Sequence, residues 1–244
     1  MSVEFIIFFA ILSFLTSLLT SVFSVGGGMI MLVALAQSFS PATLIPLHGS
    51  IQLANNFSRT LVYREFVQWG PIKYILISTV FGALAGIFLF GTLSENLLLI
   101  LIACTILFLT WAPIDNFILS VMKNDWFCGL ISGFAGIFAG ANGPLVTAYL
   151  RTKNLPPEVL VANHGAIMIF QHAVKIILFT SFFSFSIQDY FIFILILAAT
   201  GYAGAYLGRR LISSIPFDSF NIALKVLLTS VSYTHLTLPT IYSV

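Results

Sequence analysis

Charge is what this chain has least of. Only 7% of its 244 residues are Asp, Glu, Lys or Arg, where a soluble domain carries roughly 25%. So few ionic groups cannot cover a water-facing surface, so a soluble globular fold is excluded. The net charge of +2 and the lack of any basic block exclude nucleic acid as a partner. Cysteine is nearly absent. Cys104 and Cys128 stand singly in apolar segments, with no CxxC spacing, and read as packing residues rather than disulfide or metal ligands. No Walker A loop, serine elbow or HExxH is present, so ATP-driven pumping by this chain alone and the common hydrolytic chemistries are disfavoured. No catalytic residue, metal ligand or cofactor is assigned. Carboxylates are missing from the apolar segments too: Glu95, Asp115, Asp125, Glu158, Asp189 and Asp218 all fall at or near loops.

What remains is apolar. Hydrophobic residues make up 59% of the chain, and the mean hydropathy is +1.06. Runs long enough to cross a bilayer, about 17–25 residues each, recur at 4–36, 44–63, 72–91, 96–112, 126–150, 159–181, 189–208 and from 218 onward. The expected fold is an all-α polytopic transmembrane helix bundle of about eight spans, with the lipid bilayer as its solvent. A homo-oligomer is compatible with this reading. Glu4 in place of a basic n-region, and the length of the first run, argue against a cleavable signal peptide.

The chain also says one thing twice. Phe23, Gly28 and Pro41 recur 115 residues later as Phe138, Gly143 and Pro156. His48, Gly49, Asn56 and Arg59 recur 116 residues later as His164, Gly165, His172 and Lys175. GxxxG at Gly82 and Gly86 returns at Gly204 and Gly208, where close helix packing is the expected role. Two four-span repeats are expected, at 1–114 and 115–230, each opening on a broken helix. An even number of crossings per unit would make the copies parallel and an odd number would invert them, and a break folded into a re-entrant pair changes that count. Under eight full spans the basic loop residues divide evenly, with Arg59, Arg64, Lys73 and Lys123 near one face and Arg151, Lys153, Arg209 and Arg210 near the other. The positive-inside rule then returns no orientation. Val231 to Thr240, VSYTHLTLPT, resembles a translated sequencing adaptor, so 231–244 are expected to be a non-native tail.

Chemistry concentrates at the breaks and on the helix after each. Gly26, Gly27 and Gly28 interrupt the first segment; Gly140, Asn142, Gly143 and Pro144 interrupt the fifth. A broken helix at membrane depth exposes N–H groups that are tolerated where they line a cavity or meet a ligand. Pro144 suits the first turn of a new helix, whose positive dipole end favours an anion. The following helix carries His48, Gln52, Asn55 and Arg59 at i, i+4, i+7 and i+11, with Asn56 beside them. Its counterpart carries His164, Met168, Gln171 and Lys175, with His172 displaced around the helix. Intramembrane polar groups usually face an interior path, although bonding between helices would also account for the histidines. The lining is neutral to basic, which favours a small anionic solute.

FSVGGGMIM, SPATL and HGS…NN…R, followed by FAGANGPLVTAYL and LPPEVLVANHGA, resemble the TauE/SafE sulfite exporter family, also called the 4-toluene sulfonate uptake permease family. The resemblance covers residues 1–230. It implies a multi-pass transporter of the cell inner membrane, not an enzyme, for sulfite, sulfoacetate or related organosulfonates. It points to Gly26 to Gly28 with Pro41, and to Asn142 to Pro144 with Pro156. A proline expected soon after the first glycines is absent from MIMLVAL. A membrane-embedded enzyme using histidine, and a non-transporting assembly partner, stay open as alternatives.

Overall fold

The computed structural model describes residues 1–23, 26–111, 123–139, 142–183 and 185–211. Gly140, the repeat boundary near 114, the span from 218 and the tail at 231–244 lie outside the described residues. The described residues form nine α-helices and no strands: α1 (Val3–Phe23), α2 (Gly27–Ala36), α3 (Pro41–Val62), α4 (Trp69–Phe90), α5 (Glu95–Trp111), α6 (Asp125–Ala139), α7 (Gly143–Arg151), α8 (Pro157–Phe183) and α9 (Phe191–Leu211). Four of them, α1, α4, α8 and α9, contain stretches long and apolar enough to cross a membrane. At 22 residues α3 is long enough as well, about 33 Å by helical rise, but its polar stripe lowers its hydropathy. The chain is a membrane protein.

Helix directions follow from side-chain contacts. Gly27 sits against the Thr16 backbone and the Thr20 hydroxyl, while the rings of Phe39 and Phe5 lie 6.2 Å apart. α2 therefore folds back along α1 and returns to the face where α1 began. The pair α6 and α7 does the same, since Tyr149 Oη donates to Asp125 Oδ1 at 2.8 Å and Lys153 pairs with Asp125 at 3.1 Å. α1 runs parallel to α9: Phe9 meets Phe193, Ser13 Oγ donates to the Leu197 carbonyl at 2.8 Å, and Gly208 meets Leu18 and Ser21. α4 runs parallel to α6, from Tyr74 against Trp126 to Phe90 against Phe138. α3 and α8 are antiparallel, with Gly49 against Lys175 and Gly165 against Thr60.

These directions place the two hairpins on opposite faces of the bundle. One face holds the start of α1, the α2–α3 and α4–α5 connections and the α8–α9 connection. It carries Glu4, Glu95 and Asp189, and no Lys or Arg among the described residues. The other face carries Arg64, Lys73, Lys123, Arg151, Lys153, Arg209 and Arg210, with Glu65, Asp125 and Glu158. The even division expected from eight full crossings is thus replaced by a strongly one-sided distribution, because each broken segment returns to its own side.

GxxxG makes backbone contact. A Cβ on Gly82 would lie 2.0 Å from the Leu130 carbonyl oxygen, and one on Gly204 would lie 2.2 Å from that of Phe14. Such approach lets helices associate by dispersion where lipid supplies no hydrophobic drive. Cys128 is buried, as expected of a packing residue, whereas Cys104 is exposed on α5.

Candidate functional site

α2 and α7 have 10 and 9 residues, about 15 Å each by helical rise, which is half a hydrocarbon core. They descend from opposite faces, and both N-termini end in the interior. The chain reaches α2 through Gly26 at φ 97°, a left-handed conformation that costs an L side chain roughly 1–2 kcal/mol. Gly27 is needed for a second reason, since a Cβ there would lie 2.1 Å from the Thr16 carbonyl oxygen.

The two N-termini meet at one cavity of about 30 Å³, lined by Gly26, Gly28, His48, Gln52, Asn56 and Arg59 from the first half and by Gly143, Pro144, His164 and His172 from the second. Thr20, Met29 and Met168 complete the wall. That volume holds about two or three waters, given that about 10–15 Å³ accommodates one. A smaller cavity of about 10 Å³ lies beside it, lined by Thr16, Ser17, Gly27 and Asn55 and sharing Thr20, Gln52, Asn56 and Arg59.

The histidines and glycines of the two copies work reciprocally. His48 Nε2 donates to the Gly28 carbonyl at 2.9 Å, and His164 Nε2 donates to the Gly143 carbonyl at 3.2 Å. Each ring thereby ties the start of its half-helix to the helix that follows. The next residue clears space for the basic side chain of the opposite copy. Gly49 lies under Lys175, where a Cβ would meet Cδ at 3.2 Å; Gly165 faces Thr60 and Arg59, at 2.4 Å from Thr60 Oγ1 and 3.6 Å from Arg59 Nε.

Arg59 is 4% exposed, and no salt bridge joins it to a carboxylate among the described residues. Its Nη2 donates to Asn56 Oδ1 and, at 2.9 Å, to His164 Nδ1, while Nε is buried without a partner. The bonding pattern fixes the His164 tautomer: Nε2 carries the hydrogen and Nδ1 accepts. Lys175, 2% exposed, lies behind the wall with Nζ 3.5 Å from His172 Nδ1. The His48 and His172 rings stand edge to face, 6.0 Å between centroids.

Asn142, Gln171 and Lys175 do not line the cavity. Asn142 Nδ2 donates to Gln171 Oε1 and to the Ser132 carbonyl, and Gln171 Nε2 donates to Thr79 Oγ1 at 3.0 Å and Ser132 Oγ at 2.7 Å. Together they tie α8 to α4 and α6. Asn55 bonds Ser13 on α1 at 3.1 Å and lies against Gly201 of α9. The sequence reading missed Thr16, Ser17, Thr20 and Met29. For the hydroxyls a signal existed: Ser13, Thr16, Ser17, Thr20 and Ser21 follow helical spacing through an otherwise apolar segment. Met29 gave no signal, because an apolar residue in an apolar helix looks like core. Among the described residues no three His, Cys, Asp or Glu side chains converge as a metal site requires.

Among curated proteins and among solved structures, none matches this chain. The family described as sulfite exporter TauE/SafE matches residues 9–234. Its extent covers both helix breaks and every cavity-lining residue, and the chain belongs to the sulfite exporter TauE/SafE family of membrane transporters.

Proposed function

We propose that this protein is a secondary transporter for a small oxyanion of the sulfite type. Its site is the cavity where the two half-helices meet. One observation carries the reading. Two helix N-termini from opposite faces, and the buried Arg59 guanidinium, border one cavity with no carboxylate among its described lining residues. Helix N-termini present free N–H groups and partial positive charge, and discontinuous helices meeting near the midplane are how many transporters hold an anionic group. The small cavity favours a compact oxyanion; a larger organosulfonate needs the pocket to widen.

We infer that the chain is a pair of inverted repeats, 1–114 and 115–230, a division that the opposite directions of the α1–α2 and α6–α7 pairs support. Each opens with a re-entrant helix pair followed by crossings of alternating direction. In this arrangement the site lies on the pseudo-twofold axis and can be approached in turn from either side. The one-sided basic residues favour a cytoplasmic Arg209 face by the positive-inside rule, in a chain read here as belonging to the cell inner membrane.

The decisive assay is counterflow in proteoliposomes holding the purified chain, with sulfite, short sulfonates and carboxylates compared. Sulfite exchange above that of protein-free vesicles is expected. Lack of exchange for every anion, in correctly reconstituted protein, refutes the transport reading and favours a non-transporting partner.

A further inference from the structure

Building on that transport reading, we propose that His164 is the proton-binding residue of the carrier, so that anion and proton occupy the pocket together. Both nitrogens of this ring are committed: Nε2 to the Gly143 carbonyl at 3.2 Å and Nδ1 to Arg59 Nη2 at 2.9 Å. The ring is therefore neutral, and Arg59 is held by an imidazole nitrogen and an amide oxygen, both weaker acceptors than an oxyanion. An anion entering beside Gly28 and Gly143 competes for the guanidinium. Once Arg59 turns to it, the Nδ1 lone pair of His164 is released in a buried site, where a proton can occupy it. The converse also holds. A proton on Nδ1 breaks the bond to Arg59 and leaves two cations side by side, a repulsion that an anion between them relieves. Each ligand thus raises the affinity of the other, as reciprocal linkage requires. The step is a proton transfer alone: an O–H bond of hydronium breaks as the N–H bond at Nδ1 forms, leaving water, and the reverse transfer releases the proton with the anion.

The surroundings direct the proton to this ring. α3 presents Arg59 and His48; α7 presents the Gly143 carbonyl and Pro144; α1 and α2 present Thr20, Gly28 and Met29; α8 itself carries His172 and Lys175. No carboxylate among these lining residues competes for it. The two His–Gly pairs are alike in their bonds to half-helix carbonyls, but Arg59 donates to His164, and that asymmetry selects it.

The test is sulfite transport by wild type and His164→Gln in proteoliposomes. Glutamine can still donate to the Gly143 carbonyl and accept from Arg59, but it does not titrate. Sulfite's own protonation is common to both proteins, so only the difference between them is read. In wild type, an acid exterior should drive accumulation, with apparent affinity rising by up to about tenfold per pH unit, the limit for one linked proton. In His164→Gln, counterflow should be slowed but measurable, and the exchange that remains should show no effect of the pH gradient on apparent affinity or accumulation. Gradient-driven accumulation equal to wild type overturns the assignment. So does joint loss of counterflow and accumulation, which would make His164 an anion-binding or structural residue. Absence of counterflow in wild type is a separate result and removes the transport reading beneath both.

Discussion

Replacing Arg59 by Met is expected to separate function from stability. The guanidinium is buried and borders both cavities. An anion about 4 Å from it gains about 4 kcal/mol at the effective dielectric of a protein interior, and a hydrogen bond to a charged group is worth about 1.5–3 kcal/mol net. These overlap, so removing the side chain should weaken anion binding by about 3–4 kcal/mol, roughly a hundredfold to a thousandfold in uptake at low sulfite. The effect on folding should be small. Met leaves Asn56 Oδ1 and His164 Nδ1 without their donor, at about 1–3 kcal/mol each, but relieves the burial of a cation with no carboxylate partner, a penalty of several kcal/mol. Arg59→Lys should fall between, because an ammonium keeps the charge without the fork that reaches two acceptors. The measurements are initial rates of sulfite uptake at equal reconstituted protein, and thermal melting in detergent. Uptake by Arg59→Met within about threefold of wild type would refute the anion-site reasoning, since a few tenths of a kcal/mol is all that leaves to the guanidinium.

The remaining predictions concern topology and the reciprocal glycines. In a chain lacking Cys104 and Cys128, Gln188→Cys should react with an impermeant maleimide added to spheroplasts, and Gln68→Cys only after permeabilisation; the reverse pattern would invert the orientation argued from Arg64, Arg151 and Arg209. Gly49→Ala is tight only against Lys175 Cδ at 3.2 Å, with Ile176 Cγ1 at an ordinary 3.7 Å, so a propensity gain of up to about 1 kcal/mol should leave it neutral or slightly more stable. Gly165→Ala meets Thr60 Oγ1 at 2.4 Å and should be less stable by about 1–3 kcal/mol, as overpacked cores are; equal melting temperatures for the two would contradict the packing described.

Much of the fold was legible because membrane helices announce themselves by length and composition. The segments expected at 44–63, 72–91, 96–112, 159–181 and 189–208 correspond closely to α3, α4, α5, α8 and α9. The direction of the broken segments was not legible. Gly26 to Gly28 specify an interruption, but whether the chain continues or turns back depends on which helix face Thr16 and Thr20 offer to Gly27, a contact with no one-dimensional signature. The charge count failed for that reason alone: one unrecognised reversal in each half changes the side to which the following loops belong. The polar stripe was legible as a face, but one face has two edges. Gln52, Asn56 and Arg59 look into the cavity, whereas Asn55 turns toward Ser13 and Gly201. In the second half Gln171 turns likewise toward Thr79 and Ser132. Helical periodicity resolves a stripe and does not resolve its edges.

The two histidine-bearing halves are close copies in geometry but unequal in chemistry, and that inequality explains how the centre is tolerated. Burying Arg59 without a carboxylate partner among the described residues opposes folding, so stability must come from elsewhere. It comes from contacts outside the cavity. Gly82 and Gly86 seat α4 on α6, Gly204 and Gly208 seat α9 on α1, and phenylalanines including Phe9, Phe90, Phe138, Phe179 and Phe193 fill the core. None of these residues lines the cavity. Each glycine contact also joins a helix of one half to a helix of the other, so neither half can leave without exposing backbone grooves in both. The frame is thus made of interdigitated backbone, which is costly to shift, while α2 and α7 reach the centre as half-length helices whose inner ends are bonded there individually, through His48 and His164 to the Gly28 and Gly143 carbonyls and through Asn142 to Gln171 and Ser132. Single bonds of this kind contribute about 0.5–1.5 kcal/mol net, small enough for an arriving anion to displace.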